Sequence, residues 1–265
     1  MEEILAVGGR LEVVITLPDD RARQKSGRVY LDDFCARRGL PLVKVRHVND
    51  GESVDAIRRH ALDWLCIIGW SQIAGAEVLA APRRGALGMH PTLLPEGRGR
   101  AAIPWAILKG LRETGVTLFR LGEGVDTGPV GGQVRLPLAA DETATTLYAR
   151  VNEAHRTLIR ECWPALLAGT LAFTAQDEAR ASYWPGRTPE DGRLRPEEGV
   201  AAVDRLVRAT TRPYPGAFID TPQGRVRIWS GRPSGSGHGI EGFRIQCADG
   251  WYEASDYDRE SLPSG

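Results

Sequence analysis

Cysteine is scarce in this chain: of 265 residues only Cys35, Cys66, Cys162 and Cys247 are cysteines. They lie far apart with no C-x-x-C pair, which argues against a disulfide framework or a cysteine-based zinc cluster and fits a reducing compartment. Long apolar runs are also absent: nowhere do eighteen apolar residues follow one another, about the least that a membrane-spanning helix needs. The start, "MEEILAVGGRLEVVITLP", has neither the cationic region nor the apolar stretch of an export signal, so a soluble cytoplasmic protein is expected. Neither sign of charge is in excess, with 34 basic against 34 acidic side chains. That removes the global positive field of a bulk nucleic-acid or membrane-surface binder and favours a small-molecule substrate. Lysine is nearly missing, at Lys25, Lys44 and Lys109 only, against 31 arginines, a compositional bias that carries no mechanism.

What is present is an alternation. "LEVVITL" at 11–17 reads as a strand, "LDDFCARRG" as a helix stopped by glycine and "LPLVKV" as a strand. "SVDAIRRHAL" reads as a helix capped by Ser53, followed by the strands "WLCII", "ALGMH" and "GVTLFRL" with a helix at 104–111 between the last two. Strands alternating with helices imply a doubly wound, mostly parallel α/β sheet covered on both faces. From 141 a long helix follows, apolar at 147, 151, 158, 159, 163, 166 and 167, with Gly169 to close it. His155 falls on that stripe and reads as a packed structural histidine. "SYWPGRTPEDGRLRP" breaks the pattern as a connection, and beyond it a helix at 198–209 and several short strands form a small helix-plus-β domain. The expected division is 1–180 and 181–265.

No serine elbow, P-loop, G-x-G-x-x-G or H-E-x-x-H occurs. Ligands of open α/β sheets sit beyond the carboxyl ends of strands, where His90 and Asp126 each follow one. A histidine held by a carboxylate can polarise a carbonyl and move protons near neutral pH. The plainer reading is that His90 bonds its own loop and Asp126 caps a turn with Thr127 and Gly128. No metal is expected on His90 alone.

The stretches "HPTLLPEGRGRAAIPWAILKG" and "ETGVTLFRLGEGVDTGP", in this order and spacing, resemble the core of the folate-dependent formyltransferases, a family that includes methionyl-tRNA and amino-sugar N-formyltransferases. "DWLCIIGWSQI", "YWPGRTPEDGRL" and "RATTRPYPGAF" extend the resemblance over most of the chain. It implies transfer of a formyl group from 10-formyltetrahydrofolate to an amine without an acyl-enzyme. His90 would stabilise the oxyanion and Asp126 would set its protonation and help deprotonate the amine. By family position Gly69, Trp70, Val125, Thr127 and Gly128 would line the pterin pocket. Two departures stand out. The family's asparagine two residues before the histidine is here Gly88, so backbone N–H groups or water replace it, turnover is weak, the reaction differs, or substrate backs closely onto the glycine. The family also opens with a strand for which "MEEILAVGG", read as a helix end, leaves no room. A late-assigned start, a truncated chain or a strand supplied by another chain would explain that, as would a folate or nucleotide-binding module without activity.

For the acceptor, the resemblance of "RGRAAIPWAI" points to the amino-sugar and secondary-metabolite branch. Arg98 and Arg100 would meet phosphates of a nucleotide-linked sugar, or are plain loop charges. Lys25 lies in a loop where relatives touch substrate, and Trp105, like Trp70, would stack on a ligand or pack in the core. From Pro185 onward 11 arginines face 12 acidic residues, so tRNA is the lesser option unless Arg208, Arg212, Arg225 and Arg227 share a face. Water as acceptor, giving a formyl hydrolase, is the remaining alternative.

Overall fold

The structure, a computed structural model, describes residues 1–22, 26–235 and 242–260. By compactness the chain forms two units. The first gathers Met1–Ala102, Thr114–Pro137 and Arg150–Trp184, and the second gathers Ile103–Glu113, Leu138–Ala149 and the chain from Pro185.

The first 102 residues hold helices α1 (Glu2–Ala6), α2 (Asp19–Ala22), α3 (Asp32–Arg38), α4 (Gly51–Arg59) and α5 (Ala76–Ala80). Between them run strands β1 (Val14–Thr16), β2 (Leu42–Lys44), β3 (Trp64–Ile68), β4 (Gly85–His90) and β5 (Arg98–Gly99). Next come α6 (Ala102–Leu108), β6 (Glu113–Arg120), β7 (Val130–Pro137), α7 (Ala144–Ala168) and β8 (Tyr183–Trp184).

β1 and β2 pair in parallel, and a second sheet has the order β3-β4-β6-β7. The sheet is therefore split: no described strand joins β1 to β3. Helix α4 packs across the split. Its Val54 and Ile57 lie in one apolar cluster with Ile15 of β1 and Leu65 and Ile67 of β3. Burial on one helix face, at about 25 cal/mol per Å² of apolar surface, holds the two sheets where strand hydrogen bonds do not. The cap of α4 is Asp50, whose backbone is extended there, and not Ser53, which is fully buried inside the helix.

β4 runs parallel to β3 but antiparallel to β6, with His90 opposite Thr117 and Gly88 opposite Phe119. β7 has no counterpart in the sequence reading. Its paired glycines, Gly131 and Gly132, interrupt the apolar alternation that marks a strand. In α7 the buried positions Leu147, Val151, Ala154, Leu158, Ile159, Cys162, Trp163 and Leu166 recur every three or four residues, whereas Leu167 is exposed. His155 donates from Nδ1 to the carbonyl of Val151 one turn earlier, at 2.7 Å, and burial lowers its pKa.

The second unit contains helix α8 (Val200–Thr210) and strands β9 (Ala217–Thr221), β10 (Gly224–Ser234), β11 (Phe243–Cys247) and β12 (Gly250–Glu260). The strands form an antiparallel sheet of order β11-β12-β10-β9. Val203 and Val207 of α8 pack on Val226, Ile228, Ile245 and Tyr252, giving this unit its own core. Among the described residues no helix is long and apolar enough to cross a membrane.

Candidate active site

His90 ends β4 and is buried at 8 % exposure. Its Nε2 lies 2.8 Å from the carbonyl oxygen of Gly97. A carbonyl only accepts, so Nε2 carries the proton and the ring cannot turn without losing that bond. Its Nδ1 faces Asp126 Oδ2 at 3.6 Å. The same carboxylate oxygen accepts the backbone N–H of Gly99 at 2.8 Å. The pair is therefore fixed from both ends, by two backbone groups of the 97–99 segment, and the space between Nδ1 and the carboxylate is where a proton can be taken up or released.

The sequence reading has the two groups converge at neighbouring strand ends. The strands are neighbours, but antiparallel, so it is the 121–129 loop turning back after Arg120 that carries Asp126 to His90. The turn is tight: Asp126 has φ of 54°, a left-handed conformation that aspartate tolerates better than most residues. At Gly128 a Cβ would come within 1.7 Å of the Arg120 carbonyl oxygen, so only glycine fits there.

Two residues hold this loop, Gln176, which has no local sequence signal, and Arg98, read from the sequence in another role. Gln176 donates from Nε2 to the carbonyls of Asp126 and Gly128, both at 2.7 Å. Its Oε1 in turn accepts from Arg98 Nη2 at 2.8 Å. Arg98 is fully buried, and its guanidinium also reaches Glu178 at 2.6 and 2.8 Å and the hydroxyl of Tyr183 at 2.8 Å. The hydrogen bonds to Glu178 raise the Arg98 pKa further. Arg98 is thus a strut behind the Asp126 loop, and a substrate phosphate would have to displace Glu178 to reach it. On the other side Thr117 Oγ1 donates to the Thr92 carbonyl and accepts the N–H of Leu94, fixing the turn that follows His90.

Gly88 shares a strand face with His90. The space over it is not open to substrate: a Cβ would stand 2.8 Å from Leu121 Cδ2 and 2.9 and 3.0 Å from the ring of Phe119, its cross-strand partner. Apolar side chains occupy the volume in which a side chain at 88 would lie. Gly88→Asn alone should lower stability by about 1–3 kcal/mol through overpacking. In Gly88→Asn/Phe119→Ala the amide gains that space, and urea midpoints should show the pair to be less unstable than the sum of the single changes. Additive losses would mean that crowding is not what excludes the side chain.

The other expected site residues lie on several segments. Gly69 and Val125 lie in the loops after β3 and β6, and Ile68, Ile73 and Val125 leave large apolar side chains exposed in these segments. Thr127 lies under Gly124, whose Cβ would come within 2.3 Å of the Thr127 hydroxyl oxygen. Trp70 packs against the α4 cluster and donates to Gln72 at 2.9 Å. Arg100 is exposed. In the second unit Trp105 donates to the Pro185 carbonyl at 2.8 Å and has the guanidinium of Arg187 5.2 Å from its ring centre. Lys25 lies outside the described residues. Among the described residues no cluster of His, Cys, Asp and Glu is arranged to hold a metal ion.

A histidine and a carboxylate locked beside each other at a strand end, on a glycine-bearing loop, can polarise a neighbouring carbonyl and move protons. The chain belongs to the formyl transferase family: residues 11–162 match the model "Formyl transferase" and residues 187–261 match "Formyl transferase, C-terminal domain". Its fold is similar to that of HypX from Aquifex aeolicus, solved in complex with tetrahydrofolic acid (TM-score 0.71, 21 % identity, covering 94 % of this chain and 44 % of that one). It is also similar to WlaRD, a sugar 3N-formyl transferase solved in the presence of dTDP and 5-N-formyl-THF (TM-score 0.68, 18 % identity, 97 % and 92 % covered). A further match is methionyl-tRNA formyltransferase from Clostridium thermocellum (TM-score 0.64, 17 % identity, 96 % and 100 % covered). The chain spans less than half the length of the HypX structures that it matches.

Proposed function

We propose that this chain transfers a formyl group from 10-formyltetrahydrofolate to a primary amine of a small substrate, an amino sugar or a related metabolite, with His90 and Asp126 as catalytic residues. The observation that carries the reading is the anchored pair: Nδ1 and carboxylate 3.6 Å apart, each also held by the backbone. The folate co-substrate supplies the formyl group as a carbonyl bound to nitrogen, and the exposed apolar residues Ile68, Ile73 and Val125 suit a flat aromatic donor. As the amine bonds to the formyl carbon, Asp126 accepts the proton that the amine loses. With its Nε2–H held by the Gly97 carbonyl, His90 donates from Nδ1–H to the carbonyl oxygen as its charge develops, and the Asp126 carboxylate 3.6 Å away stabilises the imidazolium that carries both protons. The pair then returns a proton to the nitrogen whose bond to the formyl carbon breaks. Because Gly88 offers no donor and Phe119 walls that side, His90 does this without a second side chain from β4.

The relative with a sugar acceptor supports the substrate class. A tRNA acceptor is less well supported, because the arginines that would have to form its face are neutralised one by one. Arg208 pairs with Asp204, Arg212 with Asp256, Arg225 with Asp220 and Arg227 with Glu260. Hydrogen bonds from Arg225 and Arg193 hold the Asp220 carboxyl down at about 2. Exposed Arg100 is the better candidate for a substrate phosphate.

The test is a panel of amino sugars, nucleotide-linked amino sugars and charged initiator tRNA, each incubated with 10-formyltetrahydrofolate and read by product mass. Formylated amino sugar is expected. Formylated tRNA alone would replace the acceptor class, formate release without amine would make the chain a hydrolase, and folate binding without turnover would make it a binding module.

A further inference from the structure

The carbonyl oxygen of Gly97 holds the Nε2–H of His90 at 2.8 Å, so the direction of one glycine carbonyl decides how the ring stands. Gly97 has φ of 74°, in the left-handed region, and a Cβ there would come within 2.8 Å of the Trp184 ring and 2.9 Å of Thr92 Cγ2. Only glycine fits. Glycine also has the greatest backbone freedom of any residue, and its carbonyl must therefore be aimed by partners.

Both peptide groups of Gly97 are held by one residue, Ser182. Its Oγ accepts the N–H of Gly97 at 2.9 Å. Its carbonyl accepts the N–H of Arg98 at 2.9 Å, and that N–H belongs to the same planar peptide group as the Gly97 carbonyl. The N–H of Ser182 itself donates to the Pro95 carbonyl at 3.2 Å. Just beyond this clamp β5 pairs with β8, Gly99 lying opposite Trp184, and Gly99 donates to Asp126. Two of the three Ser182 bonds come from its backbone, so the hydroxyl is what the serine side chain adds.

A neutral imidazole carries one proton, and here it has two acceptors. The Gly97 carbonyl lies 2.8 Å from Nε2 and the Asp126 carboxylate 3.6 Å from Nδ1. The shorter contact keeps the proton on Nε2 and leaves Nδ1 open to take one up beside Asp126. If Gly97 turned, the carboxylate would draw the proton to Nδ1 and no empty nitrogen would face it. We propose that Ser182 is a positioning residue for formyl transfer, which sets the tautomer of His90 by clamping Gly97. This role rests on the reading of His90 as catalytic, but the place of the proton can be measured without turnover.

Nitrogen NMR of the full chain, labelled in its histidine rings and recorded with the rings neutral, reads the tautomer directly, the His90 signals being those lost in His90→Ala. In the parent, Nδ1 should resonate as an unprotonated nitrogen and Nε2 as a protonated one. In Ser182→Ala the two signals should move toward each other as the tautomers mix. Its kcat should fall about tenfold, the scale of one neutral hydrogen bond, with KM unchanged. Ser182→Thr, which keeps a hydroxyl, should restore both. An unchanged Nε2–H tautomer in Ser182→Ala overturns the proposal, whatever becomes of its rate or Tm. A shifted tautomer in a chain that forms no formylated product upholds the hold of Ser182 on His90 and overturns formyl transfer instead.

Discussion

Replacing His90 by alanine is expected to slow formyl transfer by about 10²–10³-fold, the usual effect of deleting one donor to a developing oxyanion. The loss should fall on kcat with little change in KM, because the interaction strengthens only as charge develops. Asp126→Asn is the companion variant. Its amide oxygen can still accept the Gly99 N–H, so the loop keeps its anchor while the negative charge beside Nδ1 disappears. Its rate should fall nearly as far, and the double variant should be little worse than either single change, since the two groups act as a unit. Circular dichroism and Tm of all three should stay near those of the parent. A His90→Ala protein with full turnover would remove His90 from the chemistry.

The second large effect concerns stability. Arg98→Ala should cost about 2–4 kcal/mol, from the cavity left by its buried side chain and from the loss of the donor to Gln176 Oε1, since Glu178 is 67 % exposed and stays solvated. The guanidinium serves Glu178, Gln176 and Tyr183 at once from a fully buried position. Its loss leaves a cavity and strips Gln176 Oε1 of its donor, so the bonds from Gln176 to the Asp126 and Gly128 carbonyls loosen. Urea unfolding measures the first consequence. The second appears as a fall in kcat even at temperatures where the variant is fully folded. Gln176→Leu separates the two, with a smaller loss of stability but a comparable loss of rate. An Arg98→Ala protein as stable and active as the parent would reduce Arg98 to a surface charge.

Much of this site is legible in the chain because its signals are local. "WLCII" and "ALGMH" are apolar runs of strand length and became β3 and β4, and the spacing of α7 announces its buried face. His90 closes the run of β4 and Asp126 follows β6, which makes them candidates, and it is the resemblance to the formyltransferases that singles them out from a plain turn. What stayed hidden depends on contacts between distant segments. The antiparallel direction of β6 is set by pairing and not by its composition. The role of Gln176 depends on a loop about fifty residues earlier. Neither reading of Arg98, phosphate contact or loop charge, foresees Glu178 eighty residues away, and close approach of substrate, one of the readings of Gly88, does not foresee the Phe119 ring across the strand. Interleaving of the two units, with 103–113 and 138–149 grouped with the C-terminal segment, is likewise a property of packing.

The central claim is that an anchored histidine–carboxylate pair, without a second side-chain donor from β4, moves a formyl group onto an amine. Its most direct test follows an isotopically labelled formyl group of 10-formyltetrahydrofolate in a single turnover with an amino-sugar acceptor, in the parent and in Asp126→Asn. The account predicts the label on the acceptor nitrogen in the parent, appearing about a hundredfold or more slowly in the variant. Label released as formate at the same rate with or without acceptor, or transfer that is indifferent to Asp126, would contradict it.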